Sequence, residues 1–120
     1  MATLSLLDDN GVVVARWEIG AKPMSIGRDN SADVKIEDDS LSRRHFMIAR
    51  EGKTYQIQDL NSQNGTWVDG KRERVVKLRE SECIVAGRSL FMFNEHTLAA
   101  AAPKVAMAAL AKAVGLSAAV

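Results

Sequence analysis

A single cysteine, Cys83, occurs in the 120 residues. Neither a disulfide framework nor a cysteine-based metal site can be built within the chain. Its two histidines, His45 and His96, lie far apart in sequence, which argues against a zinc site. Charge of neither sign prevails: sixteen Lys and Arg face fifteen Asp and Glu, for a formal net charge of +1. A protein whose main task is coating nucleic acid shows a clear basic excess, so only a local basic patch survives that test. No apolar run is long enough to span a bilayer. The N-terminal "MATLSLLDDN" lacks the basic region and long apolar stretch of a signal peptide. The expectation is a cytoplasmic protein with no cofactor, no metal and no membrane partner.

What is present describes an ordinary globular chain, 47% hydrophobic and 26% charged, long enough for one domain with a self-sufficient core. "VVVARWEI" alternates, placing Val13, Ala15, Trp17 and Ile19 on one face and Arg16 and Glu18 on the other. "DVKIE" directs Val34 and Ile36 inward and Asp33, Lys35 and Glu37 outward. A period of two marks half-buried strands. "HFMIAR", "TYQIQDL", "ERVVKL", "ECIVAG" and "SLFMFN" add further candidates rich in β-branched and aromatic residues. "DDNG", "EGK" and "DGK" between them carry hairpin chemistry. Short strands at this spacing, with no helical segment between them, predict an all-β antiparallel sandwich over residues 1–96.

Residues 97–120 differ. From Leu98 to Val120, eleven residues are alanine and none is acidic. Pro103 suits a first helical turn, Gly115 an end, and Met107, Leu110 and Val114 fall on one stripe. The expectation is an alanine-rich helix or linker that docks on the sandwich or pairs with another chain, the latter a route to self-association.

Binding residues of a sandwich gather in loops at one end, and three loops here carry unusual residues. "SIGRDNSAD" presents Arg28 after Gly27. "DDSLSRRH" holds Ser40, Ser42, Arg43, Arg44 and His45. "LNSQNGT" holds Gln63, Asn64 and Gly65. If these loops meet, guanidinium groups, a hydroxyl and an amide surround one point. That set suits a phosphate on a peptide, which offers three strong acceptor oxygens. The planar arginine fork meets two of them together, and an asparagine amide supplies a donor and an acceptor for extended backbone.

The ordered set "MSIGR", "DDSLSRRHF", "QDLNSQNGTWVDG" and "IVAGRSLFMF" resembles the forkhead-associated (FHA) domain across roughly residues 3–95. The resemblance implies an eleven-stranded β-sandwich that recognises phosphothreonine. It assigns phosphate contacts to Arg28, Ser42 and Arg43. Asn64 would bond the peptide backbone, with Gln63 and Ser40 at positions that border the peptide. Gly27, Gly65 and His45 would shape and support the loops. The partner implied is a phosphothreonine protein or peptide made by a Ser/Thr kinase.

Other readings weigh against each of these. Adjacent residues on a strand point oppositely, so one of Arg43 and Arg44 faces the ligand and the other is a surface charge or pairs with Asp38 or Asp39; Arg43 is favoured for the ligand. His45 near Ser42 invites a nucleophile pair, yet nothing marks an orienting acid or an oxyanion hole. A non-catalytic module with a buried structural histidine is the expectation. "KRER" reads as a solvated edge strand rather than a nucleic-acid patch, and Trp17 and Trp67 as packing residues. The rival function is a phosphate-independent interaction or assembly domain on the same fold.

Overall fold

The computed structural model of the chain describes residues 2–95. The expected alanine-rich helix, the domain boundary at residue 96 and any self-association through the tail lie outside the described residues. Eleven strands appear in chain order: β1 (Thr3–Leu7), β2 (Val13–Glu18), β3 (Met24–Gly27), β4 (Val34–Lys35), β5 (Phe46–Glu51), β6 (Thr54–Asp59), β7 (Thr66–Val68), β8 (Lys71–Glu73), β9 (Val75–Leu78), β10 (Glu82–Ala86) and β11 (Ser89–Asn94). They form a six-stranded sheet, β2-β1-β11-β10-β7-β8, and a five-stranded sheet, β4-β3-β5-β6-β9. Among the described residues no helix is long and apolar enough to cross a membrane.

The sheets close on the inward side chains that the period of two selects. Leu4, Ile26, Phe46, Ile48, Ile57, Ile84, Phe91 and Phe93 are all at most 1% exposed. Each such side chain contributes roughly 1.5–3 kcal/mol on leaving water. Phe46 of one sheet meets Phe91 of the other edge to face, with ring centroids 5.4 Å apart. That geometry sets the ring edge against the partner's electron-rich face and ties β5 to β11 across the core.

Local chemistry sets the turns. Asp8 Oδ1 accepts from the N–H groups of Asn10 and Val12, both at 2.9 Å, and closes the β1–β2 connection. Asp69 and Gly70 both hold positive φ, 51° and 83°, the pairing a two-residue hairpin turn demands. The strand after it, β8, lies at the sheet edge with Lys71 and Arg72 exposed, in keeping with the edge reading of "KRER".

The structure departs from the expected pattern in three places. β3 and β4 pair in parallel, Ile26 beside Val34, in an otherwise antiparallel fold; β4 is so short that the loop of residues 28–33 returns the chain to the same end. β1 escapes the alternation because Leu6 and Leu7 are adjacent and the β1–β2 register shifts there. β7 is too short to display a period, and its pairing with β10 places it.

Candidate functional site

The loops after β3, before β5 and between β6 and β7 meet at one end of the sandwich. Ladder extensions bring them together. The Arg28 N–H donates to the Ser42 carbonyl at 3.2 Å, and the Asp29 N–H to the Arg43 carbonyl at 3.2 Å. Leu60 N–H reaches the His45 carbonyl at 2.9 Å. Gly27 makes the first approach possible. A Cβ there would lie 2.7 Å from the Arg43 carbonyl carbon and 2.9 Å from Arg44 Cα. Both are backbone atoms with no room to yield.

His45 is fully buried between two of the loops. The Ser42 N–H donates to its Nδ1 at 3.0 Å, so the ring proton sits on Nε2 and is donated to the Gly65 carbonyl at 2.8 Å. The ring spans from the Ser42 main chain to the Gly65 main chain. It makes no hydrogen bond to the Ser42 hydroxyl. That oxygen accepts instead from the Gln63 N–H at 3.1 Å. A serine activated as a nucleophile would give its proton to the imidazole; here the imidazole holds the serine's backbone.

Ser42 Oγ keeps its own hydrogen for an outside acceptor, since among the described residues it donates to none. Arg28 is exposed, and its guanidinium makes no hydrogen bond or ion pair among the described residues. Arg43 is also exposed and lies where its charge acts on Asp29, next in sequence to Arg28; Arg44 acts on Asp33 instead. The two charges thus act on different carboxylates. The suggested pairing of one of them with Asp38 is not made: Asp38 lies 3.8 Å from Arg88 Nη2. Arg88, at the β10–β11 turn, reaches that carboxylate because Gly87, at φ +57°, packs against Ser40.

Asn64 donates from Nδ2 to the Ser40 carbonyl at 2.7 Å, joining two loops, while its side-chain oxygen accepts nothing among the described residues. Gln63 is exposed, and its N–H fixes the Ser42 hydroxyl. The Ser40 hydroxyl is committed inward, donating to Asp38 Oδ1 at 2.5 Å and accepting from the Arg88 N–H at 2.8 Å. Gly65 holds φ +82° with the Arg72 side chain against its open face.

Two carboxylates organise these loops: Asp59, to which the sequence analysis gave no role, and Asp38, expected only as a partner for an arginine. Asp59 accepts from the Ser62 N–H at 3.0 Å, from the Ser62 hydroxyl, and from Thr66 Oγ1 at 2.7 Å. Asp38 accepts from Ser40 and, at 2.6 Å, from Ser89 Oγ. An Asp followed two or three residues later by Ser is the signal for such turns, and both "DDS" and "DLNS" carry it. Burial alone would raise both carboxyls. For Asp38 the Ser40 and Ser89 hydroxyls outweigh it, and for Asp59 the Ser62 and Thr66 hydroxyls do, so both end below the ordinary carboxylate value.

A lowered folded-state pKa contributes stability that is complete above the unfolded value and lost as pH falls through the folded one. The thermal midpoint is therefore expected to be insensitive to these groups at neutral pH and to drop once pH passes below about 4. Asp59→Asn should cost about 1–3 kcal/mol at pH 7 and make the acid limb shallower. Calorimetric melts from pH 7 to 3 on both proteins check this; an unchanged acid limb in the variant would refute the assignment.

Comparison with known proteins bears on the same residues. The FHA domain family model matches residues 24–87. FhaA, an FHA domain-containing protein of Mycobacterium tuberculosis, is 31% identical over 94 residues, which are 78% of this chain and 17% of FhaA. The chain thus spans a small part of that relative. A structure from work on phosphothreonine-dependent FHA domain interactions superposes with a TM-score of 0.72 at 31% identity, covering 81% of this chain and 98% of the other. The FhaA FHA domain complexed with the intracellular domain of Rv3910 gives a TM-score of 0.70 at 30% identity, covering 78% and 100%.

Proposed function

Since the chain belongs to the FHA-domain family, we propose that it is a non-catalytic module that binds phosphothreonine in proteins or peptides, the product of a Ser/Thr kinase. One observation carries the reading. His45 and the Gln63 N–H lock Ser42 at the loop junction that also anchors Arg28, leaving the Ser42 hydroxyl hydrogen and the Arg28 guanidinium without partners among the described residues. A fixed hydroxyl donor and an exposed guanidinium whose main chain is anchored at the same junction suit a tetrahedral dianion.

Arg28 and Ser42 hold the phosphate, with Arg43 as a further charge at its rim. Asn64 offers its side-chain oxygen to a peptide N–H beside the phosphothreonine. Gln63 and Ser40 border the peptide, Ser40 as a small side chain whose hydroxyl is already engaged. Gly27, His45 and Gly65 keep the loops together. Work by a FHA-domain relative in complex with an intracellular domain supports a protein as the ligand.

Charge-assisted hydrogen bonds worth roughly 1.5–3 kcal/mol each offset the entropy of ordering an extended peptide, which places the affinity in the micromolar range, about −8 kcal/mol. The test is calorimetry with a degenerate phosphothreonine peptide library and its unphosphorylated twin. Only the phosphorylated form should bind, and binding should weaken as pH falls through about 6, where the phosphate takes up a proton. Equal binding of both forms would replace this reading with a phosphate-independent interaction domain.

A further inference from the structure

The β7–β8 hairpin stands at the edge of the six-stranded sheet, and its basic run "KRER" has no place among the phosphate contacts. One of its cations nevertheless reaches that end of the sandwich. Trp67, exposed between the buried Thr66 and Val68, lies opposite Arg72 in the ladder, so both side chains stand on the same outer face. Lys71 lies opposite Val68 beside the turn, and Glu73 opposite the buried Thr66. Arg74 contributes its carbonyl, which accepts from the Asp59 N–H at 2.7 Å.

Trp67 and Arg72 both close on the turn that carries Asn64. The Trp67 Nε1–H donates to the Asn64 carbonyl at 3.2 Å. The Arg72 guanidinium lies over Gly65, its central carbon 2.9 Å from the point that a Cβ would occupy there. Arg72 is exposed and makes no hydrogen bond or ion pair among the described residues. A solvated edge charge has no reason to lie against a glycine of the binding loop. Asn64 is the next residue along, and adjacent Cα atoms are about 3.8 Å apart, close to the rise of one residue in an extended peptide. Arg28, Ser42 and Arg43 belong to the other two loops. Arg72 is therefore a second cationic point of the same end, beyond Asn64 on the β7 side.

We propose, resting on the phosphothreonine reading, that Arg72 is a specificity-determining residue of that site and pairs with an acidic side chain of the bound peptide. A peptide that places its phosphate on Arg28 and Ser42 and bonds its backbone to Asn64 passes the Gly65 side of the turn, where the guanidinium lies. The acidic residue falls within about three positions of the phosphothreonine, roughly 10 Å of extended chain. A carboxylate matches the planar guanidinium fork, which can meet both its oxygens. The substrate class is then phosphothreonine in an acidic stretch of sequence. Trp67 acts through Asn64, as a positioning residue that fixes the turn from outside.

Calorimetry on the full chain compares a phosphothreonine peptide with neutral flanks against versions carrying one Glu at each of the three positions on either side. Wild type, Arg72→Gln, Arg72→Lys and the neighbouring control Lys71→Gln are titrated with each peptide. At one or more positions Glu should tighten binding to wild type and Lys71→Gln by about two- to fivefold, the range of an exposed ion pair. Arg72→Gln should bind the Glu-bearing and neutral peptides equally. Arg72→Lys should keep part of the gain, since the charge survives without the fork. A neutral phosphopeptide that binds wild type with no gain from Glu at any position, or a gain that persists in Arg72→Gln, would overturn the proposal and leave the phosphothreonine reading standing. Equal binding of the unphosphorylated twins, or no binding of any phosphorylated peptide, would overturn that reading and the proposal with it.

Discussion

Replacing Arg28 with alanine is expected to abolish measurable phosphopeptide binding while leaving the fold intact. The guanidinium is exposed and unpaired among the described residues, so its removal should change stability by no more than about 0.5 kcal/mol. Bound, it would supply two parallel charge-assisted bonds to phosphate oxygens. Losing both costs about 3 kcal/mol or more, a factor of more than 100 in affinity, which takes a micromolar complex out of range. Arg28→Lys keeps the charge but not the fork and should fall between. Calorimetry gives the affinities and a thermal melt gives the stability. An Arg28→Ala protein that binds like wild type would remove Arg28 from the site.

The second large effect concerns stability. His45→Ala is expected to destabilise the domain by about 2–4 kcal/mol, from the cavity left by a buried ring and two main-chain groups without partners. That corresponds to a fall in Tm of roughly 10–25 °C for a domain of this size. The Ser42 N–H and the Gly65 carbonyl lose their common anchor, so phosphopeptide binding should weaken even at temperatures where the variant is folded. A nucleophile-base pair would lose catalysis and keep its melt; here the melt should move most. An unchanged Tm would mean that His45 does not bridge the loops.

Much of the fold was legible in the sequence because a strand half in water must alternate. Val34 and Ile36 against Lys35 and Glu37, and Ile57 between Gln56 and Gln58, betray their faces without any neighbour in view. The hairpin turns were legible for a similar reason, since Asp69-Gly70 is chemistry for positive φ regardless of what surrounds it. What eluded the pattern was β1, where the register shifts at Leu6 and Leu7, β7, which its partner β10 places, and the parallel pairing of β4 with β3, since pairing depends on a partner and not on a strand's own period.

The site divides along the same line. Residue order alone picked out Arg28, Ser42, Arg43 and Asn64 as a group, through the ordered motifs they sit in. It could not distribute their hydrogen bonds. That Asn64 reaches the Ser40 carbonyl, that the Ser40 hydroxyl is spent on Asp38 and Arg88, and that Asp38 faces Arg88 rather than Arg44 depend on loops from distant parts of the chain meeting.

By itself, the sequence determined the β class, the faces of its longer strands and the kind of chemistry its loops could offer, because these follow from side-chain period and residue type. Only the tertiary structure decided which hydroxyl and which guanidinium stay free. A polar group's availability depends on every neighbour in reach, and at Ser42 the ring of His45, three residues away, takes the main-chain N–H while the Gln63 N–H, on another loop, takes the hydroxyl's lone pair and leaves its hydrogen free.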